Sequence, residues 1–103
     1  MIRTAFKMQI PLEHAEEYKR RHDEIWPELV DALREAGIRD YSIFLDEESG
    51  TLFATMKLID SHQLDALATN PIMKKWWAAN TDIQDYEGDR PYQRPLREVF
   101  HME

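Results

Sequence analysis

Tyr18, His22 and Trp26, spaced four apart, are the residues of this chain whose types and spacing could do chemistry. Residues at i and i+4 of a helix project from the same side, so a helix here sets an imidazole between two aromatic rings. An imidazole titrating near pH 6.5 can take or give a proton around neutrality, and the rings read as a pocket wall around it. A lone helical histidine is also compatible with a plain surface or core role. A second element, Met73-Lys74-Lys75-Trp76-Trp77, puts two tryptophans about 100° apart on a helix, so they cannot enter one core face equally. Either one ring is core and the other covers a groove, or the pair is a stacking platform. Indole offers a broad apolar face and an N–H donor, which suits a ligand with C–H faces and hydroxyl edges. Sugars have that dual character, and aromatic cofactors also stack.

These residues need elements to hold them. Residues 2–10 alternate Ile2, Thr4, Phe6, Met8 and Ile10 with Arg3, Ala5, Lys7 and Gln9, a period-two strand pattern that Pro11 stops. Ala15, Tyr18, His22, Ile25, Leu29, Leu33 and Ala36 then recur at helical spacing, and Gly37 supplies the stop. Pro27 interrupts this pattern. It lacks the N–H for the carbonyl four residues back and biases Trp26 away from helical angles, so a second helical piece begins there. His22 then lies near a helix C-terminal end, where the dipole favours a protonated imidazole.

Two strands follow, at 38–45 and 51–59, joined by the hairpin loop Asp46-Glu47-Glu48-Ser49-Gly50. A short helix capped by Asp60 or Ser61 is expected through Ala68, then the Asn70-Pro71 turn and a helical piece from Ile72 to about Asn80. Residues 82–95 read as a polar loop, and residues 96–102 as a last strand. The order β-α-β-β-α-β within one domain, 1–103, predicts an α+β ferredoxin-like sheet with both crossovers on one face. Strands 38–45 and 51–59 also carry Phe44 and Phe53 on the parity opposite to Tyr41, Ile43, Leu45 and Leu52. The uncovered face therefore predicts a two-fold homodimer.

Composition narrows the partners. A chain of 103 residues with 43% hydrophobic and 32% charged residues is sized and composed for one folded domain. A net charge of -7 argues against a nucleic-acid or anionic-lipid surface. Zero cysteines excludes disulfides and thiol nucleophiles. With no apolar run of signal-peptide or membrane-spanning length, the cytoplasm is the expected compartment and no membrane partner is expected. His14, His22, His62 and His101 show no zinc-ligand spacing, so no metal is expected. Lys19-Arg20-Arg21 reads as a solvated helix face, with one arginine able to pair with Asp23 or Glu24.

Arg21-His22-Asp23-Glu24-Ile25-Trp26-Pro27-Glu28-Leu29, Asp40-Tyr41-Ser42-Ile43 and Met73-Lys74-Lys75-Trp76-Trp77, in this order and at this chain length, resemble the L-rhamnose mutarotase family. The resemblance extends from Ala5-Phe6-Lys7-Met8 to Glu98-Val99-Phe100-His101. It implies a cytoplasmic homodimer of the dimeric α/β-barrel type. Such a protein interconverts the α and β anomers of L-rhamnopyranose, a small neutral sugar, without cofactor or metal. Carried onto matching positions, it makes His22 the catalytic proton donor and Tyr18, Tyr41, Trp76 and Trp77 the substrate-binding residues.

The chain departs from the family pattern after the tryptophans. It reads Asn80-Thr81-Asp82-Ile83-Gln84 and Tyr86-Glu87-Gly88-Asp89-Arg90-Pro91 where a methionine-rich stretch and an Asn-Pro-rich loop are the rule. Another 6-deoxyhexose such as L-fucose is therefore an alternative substrate. Two other classes stay open on the residues alone: a dimeric-barrel monooxygenase or isomerase, whose pocket should be largely apolar, and a non-catalytic binding module.

Overall fold

The structure, a computed structural model, describes residues 1–103. Alternating side chains and Pro11 produce strand β1 (Ile2–Gln9), which is followed by a short 3-10 turn, Leu12–His14, and helix α1 (Ala15–Asp23). Trp26 is extended, with φ -62° and ψ 131°, and Pro27 takes the first position of helix α2 (Pro27–Glu35). The chain thus breaks fully before Pro27 and restarts in a new direction. Gly37, at φ +95°, ends α2 as expected. Strands β2 (Ile38–Leu45) and β3 (Thr51–Leu58) form the hairpin, whose loop Asp46 organises by accepting from the Glu48 N–H and the Ser49 hydroxyl. Helix α3 (Pro71–Ala79) starts on Asn70, whose Oδ1 accepts from the Ile72 and Met73 N–H groups at 2.9 and 3.2 Å.

Three expectations are corrected. The piece preceding α3 is a 3-10 helix, Leu64–Thr69, entered from Gln63 without a side-chain cap; neither Asp60 nor Ser61 caps it. The polar loop contains a small hairpin, β4 (Tyr86–Glu87) paired with β5 (Arg90–Pro91), turning at Gly88 with φ +66°. The last strand, β6, is Arg94–Leu96 and not 96–102. It pairs with β1 through Lys7–Arg94, Phe6–Pro95 and Ala5–Leu96, and beyond it the chain has no regular structure. An Arg3–Glu98 ion pair at 2.9 Å still holds the tail beside β1.

The sheet order is β2-β3-β1-β6, antiparallel throughout, with β1 interior. This is the ferredoxin-like arrangement read from the sequence. Residues directly opposite share a face, so Thr4, Phe6 and Met8 of β1 face the helices with Met56, Ala54 and Leu52 of β3. Leu52, Ala54, Met56 and Leu58 are buried while Phe53, Thr55 and Lys57 between them are exposed. In β2 the register shifts between Arg39 and Ser42, where Asp40 adopts φ +53°. This bulge places Asp40 and Tyr41 opposite Met56 alone, so Ile38 before it and Ile43 and Leu45 after it all point inward. Without the extra residue one end of β2 would turn its apolar set outward.

The core has two clusters. One joins Leu29, Ile38, Met56, Leu58, Met73 and Trp76; the other joins Met8, Ile10, Tyr18, Leu52, Ala54 and Ile83. On the outer face Phe44 and Phe53, paired across the hairpin, remain 64% and 39% exposed. No helix is long and apolar enough to cross a membrane.

Gly50 closes the β2–β3 hairpin at φ +78°, and a Cβ there would lie 2.2 Å from the Ile10 carbonyl oxygen. Gly88 has a similar backbone but open space around it. Gly88→Ala should cost about 1 kcal/mol, the left-handed backbone share alone. Gly50→Ala should exceed it by at least about 1 kcal/mol, because backbone must move. Urea unfolding at matched protein concentration measures both, and equal losses would contradict the packing argument.

Candidate functional site

The helix face anticipated from Tyr18 and His22 exists, and burial gives each ring a different role. Tyr18 is a core residue, 7% exposed, and the His22 imidazole stacks on its ring at a centroid distance of 4.2 Å and 24° between planes. Trp76, also buried, meets His22 edge-on at 5.3 Å. Trp26 has left the α1 face and meets Trp76 edge-on at 5.1 Å. The result is a continuous row of rings, Tyr18, His22, Trp76 and Trp26, carried by α1, α3 and the break between α1 and α2.

Trp77 points elsewhere, as the 100° offset requires. It is half-buried beneath the Arg90 guanidinium, which lies 5.2 Å from its ring centroid. The Tyr86 hydroxyl donates to the Trp77 carbonyl, so the β4–β5 hairpin is moored to α3 at this residue. Of the two tryptophans, one is therefore core that also touches His22, and the other covers the groove. Tyr41 enters from the sheet. The β2 bulge turns it toward the helices, where its ring meets Phe6 edge-on at 6.4 Å.

All five residues singled out from the sequence, Tyr18, His22, Tyr41, Trp76 and Trp77, line one cavity of about 1380 Å³ between the sheet and the helices. The cavity wall mixes apolar rings with polar groups, including Asp40, Arg90 and Gln93. Its aromatic and polar make-up matches a ligand having both C–H faces and hydroxyls better than a purely apolar one. No three His, Cys, Asp or Glu side chains come together closely enough to hold a metal ion.

His22 Nδ1 lies 2.9 Å from the Tyr18 carbonyl oxygen. A carbonyl can only accept, so Nδ1 carries the hydrogen and donates. In the neutral ring Nε2 is then a free lone pair. Desolvation holds the imidazole below its ordinary value of 6.5, outweighing the Tyr18 carbonyl and Asp23, which both pull it upward. The direction is set by burial and is opposite to the protonated ring expected at a helix end. Desolvation likewise raises Tyr18 strongly and lifts Tyr41 to about 12, so both phenols stay protonated and can donate.

Sequence reasoning missed part of the surroundings. Arg20 pairs with Glu17 and Glu24 and Lys19 with Asp23, as a solvated face would. Arg21 also pairs with Glu17 but extends beyond α1 to Asp82, Asn80 and the Ala79 carbonyl. The only sequence signal for this was an arginine one residue before the histidine, which spacing alone could not distinguish from its neighbours. Arg90 and Tyr86 were likewise not assigned to the aromatic site, and the Gly88 turn was the available signal for them; Trp26, read as a wall beside His22, joins the row through Trp76 instead.

Comparison with known proteins identifies a family. The L-rhamnose mutarotase family model matches residues 3–102. An L-rhamnose mutarotase of Acidiphilium cryptum is 52% identical over 99% of each chain. A crystal structure of an L-rhamnose mutarotase from Formosa agariphila superposes with a TM-score of 0.92 at 45% identity, covering all of both chains. A dimeric ferredoxin-like protein from an uncultured marine organism, 12% identical, covers 98% of this chain and 91% of its own with a TM-score of 0.59, a likeness of fold alone. With a family match spanning almost every residue and a near-identical backbone in a relative, this chain belongs to the L-rhamnose mutarotase family.

Proposed function

We propose that the protein interconverts the α and β anomers of L-rhamnopyranose in the cavity between α1, α3 and the sheet, using no cofactor or metal. The observation that carries this reading is a neutral imidazole with its Nδ1–H fixed on a backbone carbonyl and its Nε2 free, beside stacking rings and phenol donors in one cavity. Trp77 offers the sugar's apolar face a stacking surface, Trp76 backs the imidazole, and Tyr18 and Tyr41 offer hydroxyls to the ring substituents.

The two oxygens on the anomeric carbon are close enough for one nitrogen to serve both. His22 Nε2 accepts the proton of the anomeric hydroxyl as C1 becomes a carbonyl and the C1–O5 bond breaks. The imidazolium so formed delivers that proton to O5, which makes His22 the donor to the ring oxygen. Rotation about C1–C2 presents the other carbonyl face, and the same steps in reverse close the opposite anomer. The proton count balances without a second titrating group. The neutral starting ring fits the direction in which burial moves His22.

The outer sheet face supports the homodimer reading. Phe44 and Phe53 form an uncovered aromatic pair, Leu96 lies on the same face, and Val99, Phe100 and Met102 are exposed in the tail. A second copy covering this face removes the patch by two-fold symmetry. The cavity lies between the sheet and the helices, on the opposite side of the sheet. A compartment holding free sugar and reduced thiols, the cytoplasm, is the setting this reading implies.

Saturation transfer between anomer signals in NMR tests the reaction with L-rhamnose, L-fucose and D-glucose. L-Rhamnose should exchange fastest. His22→Asn should slow it by about 10²–10⁴-fold; wild-type exchange in a folded His22→Asn variant would sink the His22 role, and no acceleration for any sugar would sink the enzymatic one. Because the neutral ring starts the cycle, kcat/KM should rise with pH to a plateau, with its inflection below 6.5.

Stability should follow the same sign. A histidine depressed in the folded state binds protons more readily when unfolded, so its contribution is full above about pH 6.5 and is lost as pH falls through the folded value. His22→Asn should flatten that part of the urea-midpoint profile, and an unchanged slope would refute the burial argument. Separately, Phe44→Asp combined with Phe53→Asp should convert a dimer to monomers in sedimentation velocity, whereas an unaltered assembly would place the interface elsewhere.

A further inference from the structure

We infer that Arg21 is a positioning residue for His22, tying the last turn of α1 to the C-terminal end of α3 and so holding the imidazole against Trp76. The inference rests on the reading of His22 as the proton-transfer group. Arg21 Nη1 and Nη2 donate to the two oxygens of Asp82 at 2.9 and 3.0 Å. Nη1 also reaches the Ala79 carbonyl at 3.0 Å and Asn80 Oδ1 at 3.2 Å, while Nε donates to Glu17 at 2.7 Å. Asn80 is itself buried and donates through Nδ2 to the Trp76 carbonyl at 2.8 Å. Arg21 and Trp76 therefore share a buried partner, and the His22–Trp76 ring contact closes a loop through Arg21 and Asn80.

The loop matters because, beyond Tyr18 and Ala15 packed on the core, α1 has little else to hold its angle. It is nine residues long, has no side-chain cap at its N-terminus, and is cut from α2 by the break at Pro27. Helices this short are marginal alone. Adjacent helical residues point about 100° apart, so Arg21 can reach the end of α3 while His22 faces the cavity. Arg20, its neighbour, bonds only to α1's own Glu17 and to Glu24 just beyond it. Only a planar fork makes the Asp82 pair and the Asn80 contact at once, so lysine is not equivalent. Displacing a proton-transfer group by about 1 Å can cost about 10²-fold in rate.

The test compares Arg21→Gln, Arg21→Lys, Asp82→Ala and, as control, Arg20→Gln. Three readouts are taken: anomer exchange of L-rhamnose, the His22 ring titration by NMR without substrate, and the nuclear Overhauser contact between the His22 and Trp76 rings. Arg21→Gln should lower kcat/KM by about 10–100-fold, move the His22 titration upward toward 6.5 and weaken the ring contact. Arg21→Lys should recover part of each, Asp82→Ala should show the same signs at smaller size, and Arg20→Gln should match wild type. His14, within electrostatic reach of Asp82, is followed by its own resonance. Arg21→Gln and Asp82→Ala with wild-type kcat, His22 titration and ring contact would overturn the inference even if both melt earlier. Should Arg21→Gln not fold, Asp82→Ala, which leaves the Glu17, Ala79 and Asn80 contacts, decides alone. Ring titration and contact need no turnover, so they judge Arg21 even if His22→Asn exchanges sugar at the wild-type rate.

Discussion

The missing N–H of Pro27 is the constraint from which the rest of the site follows. A helix continuing from Ala15 through Ala36 would carry Trp26 on the same face as His22 and run straight across the sheet. Proline forbids the bond to the carbonyl four residues back and forces Trp26 to extended angles, so α1 stops at Asp23 and α2 departs in a new direction. Two consequences meet at one point. His22 lies in the last turn of α1, and Trp26, freed from that face, meets Trp76 edge-on. The cavity that takes in His22 lies between helices that an unbroken segment would have merged.

At His22 two opposing effects act on one ring. The Tyr18 carbonyl and Asp23 favour the cation, while the stacked Tyr18 ring and the Trp76 edge remove water from it. Desolvation is the largest contribution, and it decides the resting state. The hydrogen bond that fails to make the ring cationic still fixes its tautomer, since a carbonyl can only accept. Burial sets the charge and the backbone sets which nitrogen is free.

Much of this was legible in the residues. Alternation marked β1 and β3, Pro27 and Gly37 marked the helix ends, and Asn70-Pro71 marked the start of α3, because each signal acts within a few residues. The chain was misread where structure depends on a distant partner. Residues 97–102 alternate like a strand, but their pairing with β1 stops at Leu96, and beyond it Glu98 meets the strand through the Arg3 ion pair. The β4–β5 hairpin consists of four paired residues and owes its position to Tyr86 and Arg90 meeting Trp77. Tyr18, His22, Tyr41, Trp76 and Trp77 do line one cavity, yet their division into core and surface was not readable: helical spacing gives direction, and only the packed sheet decides which direction is inward.

That division carries a consequence for how such a site can vary. Tyr18 and Trp76 belong to the two core clusters, so replacing either changes packing and pocket together. Tyr41 and Arg90 are less buried and sit on the sheet bulge and the small hairpin, able to change without emptying the core, while Trp77 is half-buried and packs against one core cluster as it borders the cavity. The small hairpin at 86–91 reaches the cavity through Glu87, Arg90 and Pro91. In the proposed reaction, His22 is backed by rings the fold cannot easily alter, while Tyr41 and Arg90 border the cavity from parts it can. A family holding one chemistry while shifting its substrate would need that separation, and here it follows from which rings fill the core and which only border it.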